Sequence, residues 1–152
     1  MNWYLLFKFL HVVFAAAWIG GMFVAFVLHV KLARAADAPA LEAAAQNGIV
    51  IGRSVIGPAA GLTLITGAVA MWLGHLGFAF WIVWGLAAMV VSMALGATLA
   101  RRSLEALLAR LATEGAADPE VEGLRRRLSM LQALLLLILV STVWVMVFKP
   151  VL

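Results

Sequence analysis

The chain is expected to fold as an all-α integral membrane four-helix bundle with both termini on the non-cytoplasmic side. Three observations predict this. Four apolar stretches each approach the roughly 20 residues that a helix needs to cross a bilayer. Of the 152 residues, 66% are hydrophobic and only 12% charged, too few to give a soluble domain of this length its polar surface. The basic side chains, finally, collect on one set of loops.

The first span, residues 3–30, carries FKFLHVVFAAAWIGGMFVAFVLHV. AAA at 15–17 resembles a signal-peptidase site, but no basic segment precedes it and Lys8 and His11 interrupt the apolar run. The run also outlasts a signal sequence's apolar core of about 7–15 residues, so it is expected to be a retained span. The loop 31–54 is alanine-rich and amphipathic, broken by Pro39 and closed by Asn47-Gly48. Span two, 55–76, opens with Pro58, which either kinks the helix or begins its regular part. A few residues around Gly74–Phe78 separate it from span three, 78–100, predicting a tight antiparallel hairpin. In the loop 101–127, helical periodicity gives way to a turn at GAADPE, and span four covers 128–148. The whole is a single transmembrane domain.

Charge sets the expected orientation. Lys31, Arg34, Arg53, Arg101, Arg102, Arg110, Arg125, Arg126 and Arg127 fall on the face of the two long loops, and only Lys8 and Lys149 on the other. Nine against two predicts cytoplasmic loops. The arginines then read as topology determinants and lipid-headgroup contacts rather than a nucleic-acid surface. Trp3, Trp72, Trp81, Trp84 and Trp144 sit toward the opposite face, as an interfacial aromatic belt would.

The chemistry-bearing residues are few. The chain lacks cysteine, which excludes thiolate metal sites, and no Asp or Glu lies within a span, which argues against a carboxylate proton relay. His11 lies 20 residues from Lys31 and His75 lies 22 from Arg53, about 30 and 33 Å along their helices. Two imidazoles at one level on sequential helices are what axial ligation of a b-type haem needs. Gly57, Gly61, Leu64, Ala68 and Met71 share a stripe with His75. That stripe either admits a neighbouring helix or leaves room for a ring. His11 shares its face with Ala15, Trp18, Met22 and His29. Trp18, Met71 and Lys8 are the further expected cofactor contacts, Lys8 being one of two cations available to haem propionates on that face. His29, beside Lys31, is expected to be interfacial. Met71 with a histidine could alternatively hold Cu(I).

The first span, with FKFLHVVFAAAWIGGMF, resembles the opening helix of a superfamily of small four-helix membrane proteins. Its members include the HemJ-type protoporphyrinogen oxidases, the copper resistance D (CopD) membrane domains and a sister family of unknown function. RSVIGPAAGLTLITGAVAMWL and the closing VMVFKP extend the likeness over most of the chain, which is most similar to the sister family. The resemblance implies that His11 corresponds to the first-helix histidine associated with haem in the HemJ type. It also implies a porphyrinogen-to-quinone or other electron-transfer role. The lysine expected near the start of the third helix is missing from FAFWIVWGLAAMV, and the arginine-rich motif before span two is reduced to GRS. His75 is left as the candidate second ligand.

The expected function is therefore a b-type haem-binding protein of a bacterial-type inner membrane with a redox role; if it is an enzyme, it is a membrane oxidoreductase. The alternative is a copper-handling or purely structural accessory subunit. The lipid bilayer is the one expected partner. A quinone, a homo-oligomer and a larger membrane complex stay open.

Overall fold

A computed structural model describes residues 2–32 and 37–150, and Arg34 of the basic set lies outside them. Among the described residues six α-helices form: α1 (Trp3–Leu32), α2 (Ala38–Ile51), α3 (Gly57–Leu73), α4 (Phe80–Leu95), α5 (Arg101–Thr113) and α6 (Pro119–Phe148). Two π-helical turns, Gly52–Ile56 and Gly96–Ala100, weld α2 to α3 and α4 to α5. The result is four long rods, each long and apolar enough to cross a membrane.

The rods exceed the spans expected from sequence. Ala38–Leu73 runs 36 residues and Phe80–Thr113 runs 34, about 54 and 51 Å against a hydrocarbon thickness of about 30 Å. What the sequence suggests are loops, 31–54 and 101–127, is mostly helix that continues past the apolar stretch. Pro39 does not break a helix; it sits in the first turn of α2, where a missing N–H costs nothing. Asn47-Gly48 lies inside α2 rather than at its end. The expected turn at GAADPE does form, between α5 and α6, with Gly115 at φ +81°. Asp118 caps the next helix, its carboxylate accepting from Glu120 N at 2.9 Å.

Both π turns lie where the rods leave the apolar thickness, Ala100 being about 30 Å of helix from Phe80. Pro58 explains the first. It cannot donate to the carbonyl four residues back, and its ring would clash there. The ladder shifts instead, so that Gly57 N reaches Gly52 O. A Cβ at 57 would stand 3.2 Å from that oxygen, so glycine allows its close approach. In the second π turn, Thr98 Oγ1 bonds back to Ala94 O at 2.5 Å, a habit that bends helices.

Around the bundle the order is α1, α3, α4, α6, with α1 and α3 most closely packed and α3 and α4 most loosely. One end carries the N-terminus, the α3–α4 turn and the end of α6; it is called the terminal end below. The other, the basic end, carries α2, α5 and the start of α6. The core is correspondingly double. Trp18 and Met22 of α1 meet Ala59 and Ala60 of α3, Met89 of α4, and Leu135 and Leu139 of α6 in mid-bundle. Toward the basic end, Ala45, Leu104, Leu107, Val121 and Leu128 form a second cluster. Phe9, Phe23, Val90, Leu137 and Val147 point outward, as apolar side chains do when the surroundings are lipid tails. The tryptophans expected in an interfacial belt sit at the terminal end, Trp3, Trp72, Trp84 and Trp144 exposed. Trp81 lies under Lys149 Nζ at 5.2 Å.

Candidate functional site

His11 is seated by α3. Its Nδ1 lies 2.9 Å from Thr63 O. A carbonyl only accepts, so Nδ1 carries the proton and Nε2 of the neutral ring holds a lone pair. That geometry needs glycine four residues on. In a helix the side chain at i+4 normally shields the carbonyl of i from lateral donors. Here position 67 is glycine, and a Cβ there would stand 2.8 Å from His11 Nδ1 and 2.9 Å from Cε1. His11, Thr63 and Gly67 are thus one matched set across the α1–α3 seam. Thr63 itself is turned inward, with Oγ1 bonded to Ala59 O at 2.7 Å.

The structure does not bring His75 to this seat. Tyr4 faces Gly74, where a Cβ would stand 2.7 Å from its ring, and seven residues further along each helix His11 faces Gly67. His75 lies eight residues beyond Gly67, about 12 Å of rise. It is exposed and occupies the α3–α4 turn at φ +48°. The stripe expected to end in His75 is not the buried face of α3: Gly57 and Ala68 are exposed and Gly61, Leu64 and Met71 half-buried, while Ala59, Ala60, Thr63, Thr66 and Ala70 are buried.

The other expected contacts separate. Trp18 is 5% exposed and fills the mid-bundle core, seven residues or about 10 Å inward of His11; it is a floor beneath the histidine rather than a wall beside it. Lys8 is exposed, with Nζ 5.8 Å from the Tyr4 ring centre. Met71 is half-buried one turn beyond Gly67. Met146 packs its methyl over Gly85 of α4. Trp18 and Met22 of α1 share a core cluster with Leu135 and Leu139 of the antiparallel α6, and the same number of residues toward the terminal end brings α6 from that cluster to Met146 as brings α1 to His11.

His29 is not interfacial, contrary to expectation from its neighbour Lys31. It is 4% exposed, with Nδ1 donating to Ala25 O of its own helix at 2.6 Å. Its ring faces α2, where a Cβ on Gly48 would stand 3.7 Å from Cε1. The buried atoms without a hydrogen-bond partner include His29 Nε2, Ser92 Oγ, Ser129 Oγ and Gln132 Oε1. Of these residues only His29 stands out in the sequence. Ser129 and Gln132 were nonetheless visible as polar interruptions of the fourth apolar stretch. Among the described residues, no group of three or more His, Asp or Glu side chains could hold a metal ion.

The basic end is laced by ion pairs. Arg110 contacts Glu120 and, at 3.9 Å, Asp118; Arg101 meets Glu105 at 2.7 Å and Arg125 meets Glu122 at 3.2 Å. A shallow groove between α5 and α6 runs past Ala106, Ala109, Leu124 and Arg127.

Four lipid-length rods, a histidine seat inside them and charge confined to the ends define an integral membrane protein. The chain belongs to the family described as "Predicted integral membrane protein (DUF2269)", whose model matches residues 5–150. No curated protein and no solved structure matches it.

Proposed function

We propose that the protein is a redox-active membrane protein that binds b-type haem through His11. The hydrogen bond from His11 Nδ1 to Thr63 O carries this reading. A backbone carbonyl on one ring nitrogen fixes the tautomer and leaves the other free to ligate, the arrangement metal-bound histidines use. The likeness of FKFLHVVFAAAWIGGMF to the HemJ-type first helix supports it. His11 fits an axial ligand. No second imidazole faces it, so one histidine would carry the group, which would supply one-electron exchange. Thr63 orients the ring, Gly67 makes room for it, and Lys8, one turn outward, is the nearest cation on α1 for a carboxylate. Detergent-purified protein is expected to show a Soret band that collapses in His11→Ala. A colourless preparation from haem-replete cells would sink the proposal.

A second reading is a Cu(I) site. Met71 lies one turn beyond Gly67, and Met146 of α6 packs its methyl over Gly85 of α4. Thioethers with an imidazole suit a soft monovalent ion. Copper bound in proportion to protein and lost in Met71→Leu, with no Soret band, favours it over haem. We further propose a bacterial-type inner membrane with the basic end on its cytoplasmic side, an orientation that the excess of cations there supports. Because the chain has no cysteine, single cysteines introduced at Gly115 and Lys149 can be labelled from either side to check that assignment.

A further inference from the structure

His29 presents a different problem from His11, because its free nitrogen is sealed inside the protein. Nδ1 donates to Ala25 O, so Nε2 carries a lone pair, and that atom has no partner. A buried acceptor left unpaired costs about 1–3 kcal/mol, and such an atom in a native fold calls for an explanation. It is not alone at its depth. Met22, Ala25 and His29 are the buried steps of α1, and Leu135, Gln132 and Leu128 those of α6. The two helices run antiparallel, and Met22 shares a core cluster with Leu135. Gln132 therefore comes level with Ala25, and Ser129 with His29. Gln132 Oε1 and Ser129 Oγ are likewise buried without partners.

Two acceptors and a hydroxyl at one depth have a single donor among them, the Ser129 O–H. A proton on Nε2 would leave a charge in the low-dielectric interior, with Arg125 one turn from Ser129 on the same helix, and the desolvation of such an ion costs several kcal/mol. Among the described residues no group of three or more His, Asp or Glu side chains could hold a divalent cation here. Water supplies two donors without charge, at an immobilisation cost of about 0–2 kcal/mol, and buried water characteristically bonds such groups. Gly48, with no side chain of its own, keeps α2 clear of the imidazole edge.

We propose that the basic end of the bundle holds an internal water site, in which ordered water donates to His29 Nε2 and Gln132 Oε1 and accepts from the Ser129 hydroxyl. It places a hydrated, proton-accepting nitrogen on the face of α1 that also carries His11, and it does not depend on what His11 binds.

Solid-state NMR of the full chain, labelled with 15N-histidine in lipid bilayers, tests this directly. The His29 signals are assigned by their loss in His29→Asn. At neutral pH, Nε2 is expected to be unprotonated and to receive magnetisation from water. In Gln132→Leu that transfer should fall severalfold while the Nδ1 signal stays in place. Absence of water transfer to Nε2 in the unaltered protein, a protonated Nε2 or a metal-bound shift would each overturn the proposal. If Gln132→Leu does not fold, the spectrum of the unaltered protein decides, with Ser129→Ala as the second variant.

Discussion

His11 and His29 lie on one face of α1, five turns apart, and both donate Nδ1–H to a backbone carbonyl. The carbonyls differ. His11 reaches across to Thr63 of α3, whereas His29 bonds Ala25 within its own helix. The first bond ties two spans together and depends on a glycine in the partner. The second is local and would survive in an isolated helix. The free nitrogens differ in the same sense: that of His11 belongs to a half-buried ring, that of His29 is sealed in. Identical chemistry on one helix thus yields an interhelical clamp at one end and a buried acceptor at the other.

The contrast breaks most readily at the glycines. Gly67→Val places a Cβ within 3 Å of two His11 ring atoms and adds methyls beyond it. The imidazole must leave its seat, losing the bond to Thr63 and overpacking the α1–α3 seam. A loss of about 2–4 kcal/mol is expected, combining overpacking with a broken hydrogen bond, and SDS-induced unfolding in bicelles would measure it. Stability within 0.5 kcal/mol of the unaltered protein, as an order-of-magnitude threshold, would show that the seam does not hold the ring.

The histidines themselves should respond unequally. His11→Leu removes a bond between helices and is expected to cost about 1–2 kcal/mol. His29→Leu removes a local bond together with the buried acceptor, and the carbonyl of Ala25 keeps its place in the helical ladder. A change within about 1 kcal/mol is expected, because that carbonyl keeps its ladder bond and the proposed water can still bond Gln132 and Ser129. Equal losses at the two positions, measured in the same bicelles, would erase the distinction.

Much of this architecture was readable in the residues. Apolar length and charge placement point to four spans and to a short α3–α4 turn because both follow from the bilayer's thickness and the cost of burying charge. The helical continuation of residues 38–51 and 101–113 beyond the apolar stretches was less legible. Alanine-rich sequence with mixed polarity fits either a loop or a rod, and packing of Leu41, Ala45 and Leu107 against α6 and its neighbours decides it. The depth of His11 was readable; its partner was not. Helical period alone leaves open which face of α3 turns inward, and the stripe through His75 also contains small residues, Gly57, Gly61 and Ala68. His29 misled for a related reason. Its neighbour Lys31 suggests an interface, but α2 rises past the apolar thickness and closes over the ring at Gly48.

At the basic end the glycine test should reverse sign. A Cβ on Gly48 would stand 3.5 Å from Leu104 and 3.7 Å from His29 Cε1, both ordinary contacts. Gly48 also lies in the interior of α2, where alanine is favoured over glycine by about 0.8–1.0 kcal/mol. Gly48→Ala is therefore expected to stabilise by up to about 1 kcal/mol, against the loss expected from crowding Gly67. A clear destabilisation would mean that α2 approaches α1 more closely than these contacts allow.

The smallest effect belongs to the charges that decorate this end. Arg110 contacts Glu120 and Asp118, but its side chain is 45% exposed and that of Glu120 63%. Exposed pairs of this kind contribute about 0–1 kcal/mol and are screened by salt. Arg110→Ala is expected to cost less than about 0.5 kcal/mol, with the difference shrinking further at high salt. Asp118→Ala should cost more, about 1 kcal/mol, because Asp118 also caps α6 through Glu120 N. If Arg110→Ala proved the costlier of the two, the ion pairs rather than the cap and the buried leucines would be fastening the α5–α6 turn. The apolar cluster of Leu104, Leu107, Val121 and Leu128 would then be secondary in joining these helices.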